Sequence, residues 1–193
     1  MPSANSSAAA EPFIWLLLLA LLLLASMPAS PADEAVLAGR VTRVIDGDTL
    51  DVLLASGRVR VRLHGVDAPE RDQRGGRQSQ EWLQRRVQNR QVLLEPVSQD
   101  RYDRLVAIVF LEEANVNREL LRSGHAWAYR SYLRRSERIY CDIEVTARKG
   151  RLGLWDAQAA HAPWEHRRTQ GRGPFTDYSR QSAGECWRLR KKT

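Results

Sequence analysis

Carboxylates and arginines in three short segments have the types and spacing that could do chemistry. The first segment, residues 45–50, reads IDGDTL and places Asp46 and Asp48 on either side of one glycine. Two carboxylates this close repel each other, so a nearby cation explains them better than a requirement of the fold does. For this segment taken alone, an ordinary Asp-Gly turn is the alternative.

The other two segments combine acids with arginine. Residues 62–70 read RLHGVDAPE and gather one arginine and two carboxylates around the end of a predicted strand. Residues 100–105 read DRYDRL, for which a solvated charged turn is the alternative. Carboxylate oxygens suit a hard cation such as calcium, and arginine binds phosphate through two parallel hydrogen bonds. Together the three segments suit the chemistry of phosphate groups beside a cation.

The elements that position these segments follow from hydrophobic periodicity. Residues 35–54 carry strand-like apolar residues, interrupted at 46–48 as a turn would interrupt them. Residues 57–64 alternate strictly, which puts valine and leucine on one face and arginine and histidine on the other. A turn over 65–70 ends this strand, because proline lacks an amide donor and restricts the residue before it. The second segment therefore begins on a strand and ends in a turn.

The rest of the pattern predicts two more strands and three helices. The strands are expected at 92–95 and 105–111, and the helices at 78–90, 115–123 and 136–149. The predicted order is then β, β, β, α, β, β, α, α. This order favours an α+β, mainly β architecture, a five-stranded and partly open Greek-key barrel of the OB type with about three appended helices.

In sequence and in order, these segments resemble the staphylococcal nuclease, or thermonuclease, family. The resemblance covers roughly residues 36–156. It is carried by five fragments in the order of the family, which are VIDGDT at 44–49, the segment at 62–70, DRYDR at 100–104 with the following LVA, NRELLRSGHA at 117–126, and AR at 147–148 through GLW at 153–155. Five fragments in order are far more specific than any one of them.

The resemblance implies roles for six positions. They are Asp48 and Asp67 as calcium-binding carboxylates, Ala68 as a backbone carbonyl ligand, and Arg62, Glu70 and Arg104 as catalytic residues. The chain departs from the family at two places. Ala68 stands where threonine is common, which leaves a carbonyl ligand intact. Asp103 stands where glycine is common, which adds a negative charge beside Arg104 and puts the level of activity in doubt.

The activity implied by the resemblance is calcium-dependent hydrolysis of DNA and RNA with little sequence preference, in which the 5′ oxygen leaves and a 3′ phosphate is retained. Attack by water adds negative charge to the phosphodiester oxygens, so the reaction requires a cation and forked guanidinium donors around phosphorus. Glu70 would either take a proton from the attacking water or orient it. A non-catalytic nucleic-acid-binding OB module is the second hypothesis, although such a protein would be expected to lose catalytic residues that are all present here.

Aromatic residues divide into two groups. By the same resemblance, Tyr102 is expected to hold the substrate through its hydroxyl, and Tyr132 by stacking on a base. For Tyr132, packing at the barrel edge is the alternative. The aromatic residues expected to pack are Trp127, Tyr129, Trp155 and Trp164.

The charge of the chain favours a polyanionic partner. Lys and Arg number 30 against 23 Asp and Glu, for a formal net charge of +7. Such a field attracts nucleic acid above all, or anionic lipid headgroups, and the attraction weakens with salt. Arginine far exceeds lysine, which suits bidentate phosphate binding, although a compositional bias of the genome is the alternative. A membrane-surface protein would explain the charge but not the acid and arginine segments.

Three parts are expected along the chain, with residues 1–32 preceding a nuclease domain at 33–160. The apolar run at 13–27 is too short for a comfortable membrane span but suits the core of a signal peptide, with a retained N-terminal membrane anchor as the alternative. Pro, Gly and Arg dominate residues 161–193, which predicts a basic, loosely structured tail. The protein is therefore expected outside the cytoplasm, in the periplasm or the medium.

Two cysteines permit one pairing. In an oxidising compartment Cys141 and Cys186 could form a disulfide that closes the tail onto the body, and two unpaired thiols are the alternative. A zinc site that also recruited His161 and His166 matches no compact zinc pattern.

Overall fold

Five long strands follow one another around a closed barrel in the computed structural model, which describes residues 36–156, 160–170, 172 and 174–188. In chain order the strands are β1 (Leu37–Val44), β2 (Thr49–Leu54), β3 (Gly57–Leu63), the two-residue β4 (Val66–Asp67), β5 (Gln91–Gln99), β6 (Leu105–Leu111), and the two-residue β7 (Ala114–Asn115) and β8 (Trp127–Ala128). Hydrogen bonds join the long strands in the order β3-β2-β1-β5-β6, and β3 pairs with β6 to close the ring. The predicted five-stranded OB fold is confirmed.

Strand β3 places Arg62 at the centre of the sheet. The residue is opposite Thr49 of the antiparallel β2 and beside Val106 of the parallel β6. The two earlier arginines of β3 are exposed, as the alternating pattern predicts, but Arg62 is buried. The segment after β3 folds back over it, since the Arg62 guanidinium donates a hydrogen bond to the carbonyl of Val66 at 3.0 Å. Local alternation therefore predicts the face of Arg62 but not its burial.

Apolar side chains from all five long strands form one buried cluster. Members that are fully or almost fully buried include Val41, Leu50, Val52, Val61, Leu63, Leu94, Ala107 and Val109. The hydrophobic effect on this cluster is the main force that holds the barrel together. It thereby fixes the strand backbones that carry the polar residues described below.

Three helices match the predicted ones with shifted ends. They are α1 (Gly76–Val87), α2 (Val116–Arg122) and α3 (Ile139–Lys149), the last preceded by a 3-10 turn at Arg135–Glu137. Gly76 is required at the start of α1, because a Cβ there would lie 1.9 Å from the carbonyl oxygen of Glu70. Helix α1 therefore begins directly against the segment that carries Glu70.

The C-terminal segment forms two further helices, α4 (Pro163–Thr169) and α5 (Ala183–Arg188). Trp164 and Tyr178 pack against a second buried cluster that contains Trp127. A disulfide with an S–S distance of 2.08 Å joins Cys141 to Cys186 and ties α5 to α3. The expectation of a loosely structured tail does not hold for the described part of residues 161–193.

Within the described residues, none of the helices combines the length and the apolar character that crossing a membrane requires. The apolar run at 13–27, predicted as a signal-peptide core or an anchor, lies outside the described residues.

Candidate active site

Arg62 bridges two aspartates that come from different parts of the chain. Its Nη1 atom lies 2.9 Å from Oδ2 of Asp48, in the turn between β1 and β2. Its Nη2 atom lies 2.9 Å from Oδ1 of Asp67, on β4. All three side chains are buried. The barrel thus brings together the first and second of the three segments identified in the sequence.

The turn that carries Asp48 packs closely against Ala68 and helix α1. The Asp48 amide donates to Asp46 Oδ1 at 3.0 Å, and the Ala68 amide donates to Asp48 Oδ2 at 2.7 Å. A Cβ at Gly47 would come within 2.5 Å of the Ala68 Cβ and within 2.7 Å of the Ser79 Cβ. The glycine between the two acids is therefore needed to press this turn against Ala68 and α1, so the segment is both a tight turn and part of the site.

Burial and crowding of negative charge shift the ionisation of these acids. Burial raises the pKa of Asp48 to about 8, Arg62 opposes this shift, and Asp46 and Asp67 add to it. Burial likewise raises the pKa of Asp67 against the opposing effect of Arg62. Burial lowers the pKa of Arg62, but the neighbouring aspartates outweigh it and the pKa rises. A cation at this place would relieve the repulsion between the carboxylates.

Glu70 lies at the open side of the site. Its backbone amide donates to Gln73 Oε1 at 3.2 Å, which shapes the turn between β4 and α1. The Glu70 side chain is 37% exposed, so solvent reaches its carboxylate, unlike that of Asp67. A carboxylate that is fixed by its backbone and open to water is suited to accept a proton from water or to orient it.

A further arginine, Arg167 of α4, reaches the same carboxylates. It donates to Asp67 Oδ2 at 2.9 Å, to Asp67 Oδ1 at 3.1 Å and to Glu70 Oε1 at 2.7 Å. Arg167 is not expected at the site from the sequence, because the composition of residues 161–193 predicts a loose tail. One signal was available: Pro163 at the first helical position followed by Trp164 is a typical helix start, and it places Arg167 one turn after the tryptophan.

Arg104 is held apart from these carboxylates. It lies two residues before Val106, the β6 neighbour of Arg62. Its Nε and Nη2 atoms are each 2.7 Å from Asp100 Oδ2. Asp103, which replaces the glycine common in similar sequences, adopts a positive φ of 62° and accepts a hydrogen bond from Gln99. The structure therefore places Arg104 near the site, bound to Asp100, with Asp103 turned to another partner.

Three tyrosines lie close to the arginines of the site or to one another. The Tyr129 ring is 5.8 Å from the guanidinium carbons of both Arg62 and Arg167, so it lines the site rather than only packing as expected. Tyr132 lies 4.6 Å from Tyr129 between ring centroids and is 59% exposed. Tyr102 is 64% exposed, and its ring is 5.5 Å from the Arg104 guanidinium. The tryptophans Trp127 and Trp155 are buried, as expected for packing residues.

Comparison with known proteins places the chain in a family. Residues 60–157 match the family model described as staphylococcal nuclease homologue. The chain is 40% identical to protein ParB of Escherichia coli over 149 residues, which cover 72% of this chain and 84% of that protein. It is 35% identical to a micrococcal nuclease of Shigella flexneri over 158 residues, 77% of this chain and 88% of the relative. It is also 34% identical to an uncharacterized endonuclease of Haemophilus influenzae over 140 residues, 72% and 78% of the two chains. The chain therefore belongs to the staphylococcal nuclease family and is a hydrolytic nuclease that acts on nucleic acid.

Proposed function

We propose that this nuclease depends on calcium, cleaves both DNA and RNA with little sequence preference, and leaves 3′ phosphates. The observation that carries the proposal is the pair of buried carboxylates, Asp48 and Asp67, each 2.9 Å from one nitrogen of the Arg62 guanidinium. The two acids crowd negative charge around Arg62 in a buried place, and Arg167 pairs with Asp67 from the solvent side. A divalent cation compensates that charge and, together with Arg62, attracts a phosphate.

The donors at this place fit calcium. Asp48 and Asp67 offer carboxylate oxygens. Ala68, whose amide donates to Asp48 Oδ2, could contribute its backbone carbonyl oxygen. This set contains oxygen ligands and neither thiolate nor imidazole, as calcium prefers. Among the described residues no group of three or more His, Cys, Asp and Glu side chains is arranged to hold a metal. Because calcium takes about six to eight oxygen ligands, two carboxylates and one carbonyl would leave the rest of its shell to water and substrate oxygens, in keeping with the ion's tolerance of irregular coordination. When bound, calcium would supply positive charge for the phosphate oxygens.

Arg62 acts on the phosphate, and Glu70 acts on the attacking water. The planar guanidinium of Arg62, which is paired with Asp48 and Asp67, would exchange these carboxylates for two phosphate oxygens. It would then stabilise the charge that grows on them as phosphorus becomes five-coordinate. Glu70 accepts the proton of the attacking water or orients that water. The water oxygen forms the new bond to phosphorus, and the bond from phosphorus to the 5′ oxygen breaks. The departing 5′ oxygen takes up a proton from solvent and becomes a 5′ hydroxyl, and the phosphate stays on the 3′ side. Arg104 would approach the phosphate by exchanging Asp100 for it, since both partners offer paired anionic oxygens.

The residues around the site favour cleavage of nucleic acids of any sequence and of either sugar. Arginine side chains bind phosphate, which DNA and RNA share, and carry no base information by themselves. The exposed Tyr132 ring, supported by Tyr129, offers a stacking surface that tolerates any base. Neither group distinguishes the sugar of RNA from that of DNA, so both nucleic acids should be cleaved.

Product ends test the proposed reaction. Single-stranded DNA and RNA of the same sequence, each digested by the purified protein in calcium, are expected to give fragments that carry 3′ phosphates and 5′ hydroxyls. Treatment with a phosphatase specific for 3′ ends, followed by mass spectrometry, should shift every internal fragment by one phosphate. Fragments with 5′ phosphates would contradict attack with the 5′ oxygen leaving, and binding without cleavage of either polymer would favour the non-catalytic OB module.

We also propose that the protein is exported, with residues 1–32 removed and the mature chain beginning near Asp33. The apolar run at 13–27 supports this proposal. The disulfide between Cys141 and Cys186 supports it too, because disulfides persist mainly in oxidising compartments.

Mass spectrometry of the native protein tests export. The expected mass lacks residues 1–32 and is two hydrogens lighter than that of the reduced chain. A protein that keeps its N-terminus would instead favour a membrane anchor. Two thiols that react with an alkylating agent before reduction would contradict the Cys141–Cys186 bridge.

A further inference from the structure

Arg167 lies outside the residues that match the nuclease family model, yet it contacts the carboxylates at the centre of the site. The match ends at residue 157, whereas Arg167 belongs to α4. Its guanidinium binds both oxygens of Asp67 and one oxygen of Glu70, at 2.7 to 3.1 Å. The Arg167 side chain is 39% exposed, so it enters the site from the solvent side.

The position of α4 is fixed by packing on both of its sides. Trp164 meets the ring of Trp127 edge to face, with 5.5 Å between centroids. Glu165 is buried and accepts hydrogen bonds from the Thr176 hydroxyl at 2.6 Å and from the Tyr178 hydroxyl at 2.9 Å. Just before the helix, the carbonyl of His161 accepts from the Gln73 side chain at 2.7 Å. These contacts fix the backbone of α4 and thereby hold the Arg167 side chain over the site.

Arg167 and a metal ion need the same oxygens. Asp67 Oδ1 already accepts from Arg62 and Arg167, and Asp67 Oδ2 accepts from Arg167. Both oxygens of Asp67 are thus engaged, and Glu70 Oε1 is engaged as well. A divalent cation that binds through Asp67 must replace at least one arginine contact, and positive charge beside positive charge makes their coexistence costly.

We propose that Arg167 is an active-site residue that acts as an internal cation, holding Asp67 and Glu70 until a divalent metal ion displaces it. The proposal rests on the calcium dependence proposed above. Arg167 keeps the buried Asp67 carboxylate and the partly exposed Glu70 carboxylate paired in the metal-free protein. It thereby lowers the apparent affinity for the metal by the free energy of its own contacts. Because the displaced guanidinium remains on α4, metal binding and the docking of α4 are coupled, and each weakens the other.

Calcium titration of the purified protein by calorimetry, without nucleic acid, tests the competition. Arg167→Gln should bind calcium about 10-fold or more tightly than the unchanged protein, within the usual range of such couplings. Arg168→Gln is the matched control: Arg168 is exposed on the same helix, its loss changes net charge equally, and among the described residues it makes no hydrogen bond to Asp67 or Glu70. Its affinity should stay within about twofold of the unchanged protein at moderate salt, where distant charges are screened.

A second measurement needs no substitution. Hydrogen exchange of the α4 backbone amides at residues 164–169 should accelerate when calcium is added to the unchanged protein, because Arg167 loses its partners. Equal calcium affinity of Arg167→Gln and the unchanged protein, or weaker affinity of the variant, would overturn the competition while leaving the calcium site intact. Absence of calcium binding in every protein tested would overturn both the calcium proposal and this one.

Discussion

Replacing Arg62 with lysine is expected to lower kcat by about 10²–10³ and to change KM little, which is the usual cost of losing one preorganised donor to a developing oxyanion. The charge is kept, but the ammonium group of lysine cannot span two phosphate oxygens as the planar guanidinium does. That fit matters most in the transition state, when the equatorial oxygens carry the most charge. Steady-state kinetics on a short single-stranded DNA would measure the effect.

Arg58→Lys is the control for this substitution. Arg58 lies on the same strand and the same predicted face as Arg62, but it is exposed and remote in register from the two aspartates. Its replacement should leave kcat unchanged within about twofold, as is usual for exposed substitutions away from a site. A thermal melt of Arg62→Lys separates loss of catalysis from loss of folding. Similar losses in both variants would mean that the arginines act only as a general positive surface.

Asp67→Asn is expected to reduce calcium-dependent cleavage by roughly 10³ or more, the equivalent of about 4 kcal/mol of transition-state stabilisation. The change to an amide removes one negative charge from the proposed calcium site, to which the protein contributes few ligands. Among the described residues it also removes one of the two ion pairs of Arg62 and one of the two ion pairs of Arg167, which leaves those with Asp48 and Glu70. Both consequences act at the same centre, so this single change should be among the most damaging to activity in the chain.

Asp51→Asn serves as the control for Asp67→Asn. Asp51 is also a buried acid on the barrel, but its partner is Arg60, 2.9 Å away, and not Arg62. Calcium titration of the protein alone should show lost binding in Asp67→Asn and retained binding in Asp51→Asn. Equal calcium binding by Asp67→Asn and the unchanged protein would remove Asp67 from the metal site.

The barrel could be predicted from the sequence because its signals are local. Strict alternation over residues 57–64 and the glycines that end helices mark elements without knowledge of tertiary contacts. The resemblance then placed Asp48, Asp67 and Arg62 in one site, and the structure brings both aspartates within hydrogen-bonding distance of Arg62. Periodicity could not predict that Arg62 is buried, because the segment that covers it follows β3 in a turn.

The contribution of α4 could not be predicted in the same way. Arg167 and Asp67 are 100 residues apart in sequence, and their contact depends on the packing of Trp164 against a cluster built from distant segments. A composition rich in arginine, glycine and proline favours a loose tail when only local preferences are considered. The aromatic and disulfide contacts of residues 160–188 override that preference.

The orientation of Arg104 likewise depends on a neighbour that sequence motifs do not assign. The resemblance makes Arg104 catalytic, whereas its side chain in the structure is paired with Asp100. Burial would raise the pKa of Asp100, but hydrogen bonds from Arg104 and from backbone amides outweigh burial and lower it, which favours the charged form that pairs with Arg104. Positioning of Arg104 on a substrate must therefore compete with this pair.

Cleavage of single-stranded DNA by the chain from Asp33 to Thr193, measured in calcium and again in excess chelator, tests the central claim most directly. Rapid cleavage in calcium, its loss in chelator, and its return when calcium is restored are the results expected of two buried aspartates that hold an exchangeable ion beside Arg62. Cleavage that continues undiminished in chelator would contradict a calcium-dependent site at Asp48 and Asp67.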